Sequence, residues 1–134
     1  ARQRNWQYLK DNLKDMDKYL ILPEATENSS PSWFGFMMTV KKDAPFTRDQ
    51  LVRHREENKI QTRMLFAGNL TKHPCFDEMR NSKSGYRIIG DLKNTDNIMN
   101  NSLWVGVYPG MTKAILSEIA KNINTFISQG GVLN

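Results

Sequence analysis

Two stretches of the sequence concentrate side chains that could bind phosphates or sugar hydroxyls. Residues 62–69 bring Arg63, Phe66, Gly68 and Asn69 together where a predicted strand enters a loop, and residues 93–101 are unusually rich in asparagine for a helix. An arginine offers a fork of donors to phosphate or carboxylate, and amides both donate to and accept from hydroxyls. The structural alternative is that Arg63 pairs with a carboxylate and that the amides cap backbone groups. These residues alone favour neither interpretation.

The side chains that most often perform catalysis are poorly placed in this sequence. His73 and Cys75 flank Pro74 without an obvious third member, so this segment is predicted to be a structural loop. His54 is predicted to be exposed on a polar helix. The single cysteine cannot form an internal disulfide, and it cannot alone hold zinc or an iron–sulfur cluster. With no glycine-rich phosphate loop and no serine-nucleophile motif, we expect no catalytic, cofactor-binding or metal-binding residue here.

Composition indicates one soluble domain of a reducing compartment, which we place in the cytoplasm. The 134 residues are 39% apolar and carry a net charge of +5, and they contain neither a run long enough to span a membrane nor a visible signal peptide. The positive charges alternate with acidic residues, as at Lys10, Asp11 and Lys14. Such alternation is typical of a solvated helix face, so nucleic acid and membrane partners are not expected.

Hydrophobic spacing and turn residues predict helices and strands in alternation. Four segments are predicted to be strands, at residues 33–40, 60–65, 86–89 and 102–107. Helices are predicted over residues 6–20, from a Thr47–Gln50 capping box to about Asn58, from a cap at Asp91 or Asn94 through Met99, and from Thr112 to Gly130. Residues 24–32 and 66–84 are predicted to be irregular, the latter with a helical turn around 75–79. This order indicates an α+β fold, in which a small antiparallel or mixed sheet of three to four strands carries helices on one face.

Three finer expectations follow from the same patterns. In the second helix, Leu51 and Val52 are predicted to face inward while Arg55 stays in solvent. Gly35, between two phenylalanines, predicts a close approach by another group on its face of the strand. The last helix should bury a broad stripe that runs from Ile115 to Ile127.

Four motifs in a fixed order resemble one enzyme family. They are Ser-Trp-Phe-Gly-Phe at 32–36, Thr-Arg-Met-Leu-Phe-Ala-Gly-Asn-Leu at 62–70, Asn-Thr-Asp at 94–96 and Trp-Val-Gly-Val-Tyr-Pro-Gly-Met-Thr at 104–112. Together they resemble the C-terminal segment of the DegT/DnrJ/EryC1/StrS family of vitamin-B6-dependent sugar aminotransferases. The first two motifs are more specific to its branch of CDP-4-keto-6-deoxy-glucose 3-dehydrases and related lipopolysaccharide-biosynthesis proteins. The resemblance covers nearly all of the chain.

The resemblance implies that the whole chain, 1–134, is the small C-terminal domain of a fold type I enzyme. Residues 1–22 would be a joining helix and 33–134 the sheet with its helices. A large domain upstream would bind the cofactor, pyridoxamine or pyridoxal phosphate, and any [2Fe-2S] cluster. The implied partners are that domain, a nucleotide-diphosphate sugar and a second copy in a homodimer of the parent enzyme. The implied substrate-binding residues are Arg63, Asn69, Phe34, Phe36, Asn94 and Asp96.

Two other functions stay open on the sequence. The same domain could belong to a nucleotide-sugar aminotransferase, because the family's catalytic base, histidine in the dehydrase branch and lysine in aminotransferases, lies upstream. A stand-alone basic binding module is the remote alternative. If the large domain is missing, we also expect the Trp6, Leu9 and Leu13 stripe and the faces bearing Trp33 and Phe66 to lack cover. The isolated chain would then self-associate through that apolar surface.

Overall fold

The computed structural model of the chain describes residues 1–131. Five helices and three strands follow one another in this order: α1 (Arg2–Leu13), β1 (Leu20–Ile21), β2 (Gly35–Val40), α2 (Arg48–Glu57), α3 (Asp77–Ser82), α4 (Lys93–Asn101), β3 (Ser102–Gly106) and α5 (Lys113–Ser128). Short 3-10 helices lie at Lys14–Met16, Leu70–Lys72 and Pro74–Phe76. In the part of the chain that the structure describes, no helix is both long and apolar enough to span a membrane.

The strands form one antiparallel sheet in the order β1-β2-β3. Leu20 lies opposite Val40, and Met37 lies opposite Trp104. Since α1 and α2 pack against this sheet and α5 packs against both of them, the predicted α+β fold with a small antiparallel sheet is confirmed.

One face of the sheet and three helices form the core. Alternate residues of β2 and β3 are buried, and α5 buries the opposing stripe, which comprises Leu116, Ile119, Ala120, Ile123, Phe126 and Ile127. The helices α1 and α2 pack against α5 and against the sheet. Ile115, which was expected to belong to the buried stripe, is exposed instead.

The first helix is covered by this chain, so the prediction of an uncovered stripe is wrong. Trp6, Leu9 and Leu13 are all 5% exposed or less, because α5 runs alongside α1. Trp33 stacks on Trp6 with its ring parallel and 4.2 Å away. The helix also ends at Leu13 instead of continuing to residue 20, where the chain has already entered β1.

Two of the four predicted strands do not form. Residues 60–65 make only an isolated bridge, between Arg63 and Trp104, and residues 86–89 pair with no strand among the described residues. Their residue types favour strands, but a strand also needs a neighbouring edge at the right place. The predicted irregular segment 66–84 and its helical turn are confirmed, since this turn becomes α3.

The second helix begins as predicted but buries more than predicted. Thr47 and Gln50 form the expected capping box. Arg55, however, is fully buried and donates to Asn122 of α5, so the prediction that it stays in solvent is wrong. His54 is half-buried, with its ring centroid 4.9 Å from that of Phe126. Burial, followed by the nearby charge of Arg55, lowers the pKa of His54 from its usual 6.5.

Candidate functional site

The outer face of the sheet, which points away from the core, carries a large aromatic side chain over a glycine. Trp104 of β3 lies against Gly35 of β2 so closely that a Cβ atom on Gly35 would sit 2.6 Å from the Trp104 ring atom Cε3. The close approach predicted at Gly35 is therefore confirmed. The absence of a side chain at Gly35 makes room for the indole ring.

Two exposed phenylalanines flank this tryptophan. The Phe34 ring centroid lies 4.9 Å from that of Trp104, and the Phe66 ring meets Trp104 edge-on at 6.5 Å. Phe34 is 67% exposed and Phe66 is 73% exposed, and Met37 beside them is also exposed. We call the surface made by Phe34, Met37, Phe66 and Trp104 the aromatic face. Clustered exposed aromatic rings are typical of a surface that binds something flat or apolar.

Arg63 places a positive charge beside the aromatic face. Its backbone N–H donates to the Trp104 carbonyl at 3.0 Å, and the Trp104 N–H donates back at 2.8 Å. Residues directly opposite in such an antiparallel pair project to the same face of the sheet. The Arg63 side chain is exposed, and among residues 1–131 no carboxylate forms an ion pair with it. The structural alternative, in which Arg63 is neutralised by a carboxylate, finds no support in this part of the chain.

Asn69 and Asp96 are brought together, although they stand 27 residues apart. The Asn69 amide Nδ2 donates to Asp96 Oδ1 at 2.7 Å, and Lys72 Nζ lies 2.9 Å from Asp96 Oδ2. The hydrogen bond from Lys72, followed by the one from Asn69, lowers the pKa of the Asp96 carboxyl. Asn69 is only 2% exposed. Its contact with substrate stays a prediction, and the structure shows its amide joining two segments of this chain.

Asn94 lies in the first turn of α4 and is exposed. The cap position of this helix is Leu92, which makes no side-chain cap hydrogen bond, so the predicted cap at Asp91 or Asn94 is wrong. Asp91, one residue earlier, accepts from the Lys93 N–H through Oδ1 at 3.1 Å. The substrate contact predicted for Asn94 stays a prediction. Its exposure leaves the amide accessible to a ligand.

Phe36 does not belong to the site, and its predicted contact with substrate is wrong. It is fully buried in the core, with its ring 5.7 Å from that of Trp6. Phe34 lies before the first residue of β2, where the chain bends, so the two phenylalanines do not share a face as residues two apart in one strand would.

Trp104 is the site residue that the sequence analysis missed. The alternation of β3 could have found it, because Leu103 and Val105 are the buried positions and Trp104 between them must point outward. This segment enters the sequence analysis as a strand and as a family motif, with no role assigned to Trp104.

A second concave surface lies beside the loop that follows Asn69. It is a cleft of about 220 Å³ lined by Leu70, Thr71, Phe76, Met79, Arg80, Gly85 and Tyr86. Its one charged group, the Arg80 guanidinium, already donates to the carbonyls of Thr71 and His73 and pairs with Asp77. The cleft therefore suits an apolar group better than a phosphate.

The described residues offer no metal centre. No group of three or more His, Cys, Asp or Glu side chains in residues 1–131 could hold an ion. Cys75 is free and exposed, and the His73 ring is hydrogen-bonded to the Ala67 carbonyl. This arrangement matches the predicted structural loop.

Comparison with known proteins places these features in one family. The family model for DegT/DnrJ/EryC1/StrS aminotransferases matches residues 1–124. The lipopolysaccharide biosynthesis protein RfbH of Salmonella typhimurium is 45% identical over 93% of the chain, and the dTDP-4-dehydro-2,6-dideoxy-D-glucose 3-dehydratase of Saccharopolyspora spinosa is 43% identical over 96%. The chain spans only 28% and 27% of the lengths of these two relatives.

Solved structures share the fold. The GDP-4-keto-6-deoxy-D-mannose-3-dehydratase of Escherichia coli, with bound hydrated PLP, superimposes with a TM-score of 0.76 at 26% identity, over 92% of this chain and 30% of its own. An aminotransferase from Psychrobacter cryohalolentis reaches a TM-score of 0.80 at 18% identity, over 96% of this chain and 34% of its own. At 18% identity the likeness concerns the fold alone.

Proposed function

We propose that this chain, which belongs to the DegT/DnrJ/EryC1/StrS aminotransferase family, is the C-terminal domain of a nucleotide-sugar 3-dehydratase. The parent enzyme would depend on pyridoxamine phosphate. The relatives at 45% and 43% identity are a lipopolysaccharide biosynthesis protein and a dTDP-sugar 3-dehydratase. The parent enzyme would act in deoxysugar or lipopolysaccharide O-antigen biosynthesis in the cytoplasm. An aminotransferase of the same family is less favoured, since the aminotransferase compared above is only 18% identical.

The described residues do not fit the cofactor by themselves. A phosphate is commonly bound by free N–H groups at a helix N-terminus, but Thr47 caps α2, Thr112 caps α5, and Asp91 accepts from the first N–H of α4. The Arg80 guanidinium is already engaged. Pyridoxamine or pyridoxal phosphate, and any [2Fe-2S] cluster, would therefore be bound by a large domain outside this chain. That domain, and a homodimer of the parent enzyme, belong to the same proposal.

The chain's own contribution would be one wall of the sugar-nucleotide pocket. The single observation that carries this assignment is that Arg63 lies opposite Trp104, beside the aromatic face, with no carboxylate paired to it among residues 1–131. The rings of Phe34, Phe66 and Trp104 would pack on the flat face of a base or the apolar face of a sugar. The guanidinium would donate two parallel hydrogen bonds to the diphosphate between them.

Steady-state kinetics of the parent enzyme, with a nucleotide-diphosphate 4-keto-6-deoxy sugar as substrate, test this function. We expect Arg63→Ala to raise KM about tenfold to a hundredfold, because a hydrogen bond to a charged group contributes roughly 1.5–3 kcal/mol. Arg53→Ala is the matched control, since Arg53 is also an exposed arginine, lies on α2, and should leave KM unchanged.

Two results would contradict the proposal. If Arg63→Ala leaves KM at the wild-type value, Arg63 does not face the substrate. If the parent enzyme transfers an amino group to the sugar and does not remove its 3-hydroxyl, it is an aminotransferase.

A further inference from the structure

The loop formed by residues 66–72 carries one ring of the aromatic face but has little apolar anchorage of its own. Phe66 is 73% exposed and Leu70 is 56% exposed. A loop that buries so little apolar surface depends for its position on its polar contacts. Those contacts therefore decide where Phe66 stands relative to Trp104.

The loop is attached to one side of α4. Asp96 accepts from Asn69 Nδ2 at 2.7 Å through one oxygen and pairs with Lys72 Nζ at 2.9 Å through the other. Met99, three residues later and so on the same side of the helix, has its sulfur 3.2 Å from the Asn69 backbone nitrogen. Its side chain also fills the space beside Gly68, where a Cβ atom would lie 2.8 Å from Met99 Cγ. Both oxygens of the Asp96 carboxylate are thus bonded to the loop.

Both polar atoms of the Asn69 amide take part in this attachment. Its Oδ1 accepts from the Thr71 backbone N–H at 3.1 Å and from the Thr71 hydroxyl at 2.6 Å, while its Nδ2 donates to Asp96. A side chain that is 2% exposed and bonded in this way holds two segments of the backbone together.

We infer that Asp96, acting through Asn69 and Lys72, is a positioning residue that holds Phe66 against Trp104 beside Arg63. This inference rests on the proposed function. It changes the role of Asn69 and Asp96: they would not contact the substrate but would position the side chains that do. Asp96 then sets the affinity for the sugar nucleotide without touching it.

A double-mutant cycle in the parent enzyme tests the inference. We expect Asp96→Ala to raise KM about fivefold to tenfold in the wild-type background and less than twofold in the Phe66→Ala, Arg63→Ala background, because its effect passes through those two side chains. Asp96→Asn keeps an oxygen that can accept from Asn69 but loses the charge that pairs with Lys72. Its KM should therefore lie between those of wild type and Asp96→Ala. An equal rise in both backgrounds would overturn the inference, and so would an unchanged KM in Asp96→Ala.

Asp91→Ala is the matched control. Asp91 stands at the start of the same helix and pairs with Lys93, yet it makes no hydrogen bond or ion pair to residues 66–72. We expect the KM of the Asp91→Ala enzyme to stay within twofold of the wild-type value. A rise equal to that of Asp96→Ala would mean that KM responds to any weakening of α4, which would also overturn the inference.

Hydrogen exchange of the same full-length variants separates this inference from the proposed function. We expect amides 66–72 to exchange at least tenfold faster in Asp96→Ala than in Asp91→Ala, with amides of α5 unchanged in both. Lys72→Met, which removes only one contact, serves if Asp96→Ala does not fold. If the parent enzyme proves to be no dehydratase but the loop exchanges as expected, the proposed function fails and the attachment stands. Unchanged exchange at 66–72 would overturn the attachment itself.

Discussion

The guanidinium of Arg55 is buried between α2 and α5 with few partners. It donates to Asn122 Oδ1, while its Nε and Nη1 atoms find no hydrogen-bond partner among the described residues. Burial lowers the pKa of Arg55 to about 9, which leaves it charged at neutral pH. A buried charge without a counter-charge opposes folding, because its lost hydration is not replaced.

Arg55→Met should therefore stabilise the chain. We expect the free energy of unfolding at pH 7 to rise by about 1 kcal/mol or more, since an apolar side chain of similar volume removes the desolvation cost and keeps the packing. Arg55→Ala is the control: it removes the same charge but leaves a cavity, which should make it about 2–5 kcal/mol less stable than Arg55→Met. Urea unfolding followed by circular dichroism measures both. A marked loss of stability in Arg55→Met would show that the guanidinium has an anionic partner.

At the scale of the elements, the pairing of β2 with β3 needs a glycine at one position and merely tolerates one at the position opposite. Gly35 and Gly106 lie directly opposite each other. A side chain at Gly35 would collide with the Trp104 ring, whereas a Cβ atom at Gly106 would meet nothing within 4 Å. The position of Trp104 in the aromatic face therefore depends on Gly35 having no side chain.

The two glycines give a matched pair of substitutions. Gly35→Ala should destabilise the chain by about 1–3 kcal/mol, because either the indole or the strand must move. Gly106→Ala should change stability by less than about 0.5 kcal/mol in either direction, as expected for a substitution without a clash. Thermal unfolding gives the comparison. Equal effects at both positions would show that Trp104 can leave Gly35 at no cost.

At the scale of the whole molecule, the chain covers its own core but leaves its outer sheet face open. The stripe of α1 is buried by α5, while Phe34 and Phe66 remain exposed. The surface that would meet a large domain is therefore the aromatic face and the adjoining loop, and not α1 as the stripe alone indicated. Self-association of the isolated chain stays a prediction, now confined to that face.

The isolated chain should bind no pyridoxal phosphate stoichiometrically. At the N-termini of α2, α4 and α5, side-chain oxygens of this chain already accept from an N–H group and would compete with the phosphate there. Absorbance spectra after incubation with pyridoxal phosphate and dialysis measure this, with the parent enzyme as the positive control. A cofactor band that survives dialysis on residues 1–134 alone would contradict the expectation.

Local sequence determined the features that depend on neighbours in the chain. The capping box at Thr47 and Gln50, the cap at Thr112 and the buried stripe of α5 follow from spacings of three and four residues. The four ordered motifs were sufficient for the family and for an α+β fold, because each motif is short and contiguous.

Only the tertiary structure decided which surface each residue joins. Phe36 entered the core while Phe34 stayed outside, and Arg55 was buried although its helix is polar. Residues 86–89 have the composition of a strand but no neighbouring edge among the described residues. In each case the outcome depends on a partner distant in sequence, such as α5 for Arg55. Local periodicity tells how a segment folds, but it does not tell what that segment will pack against.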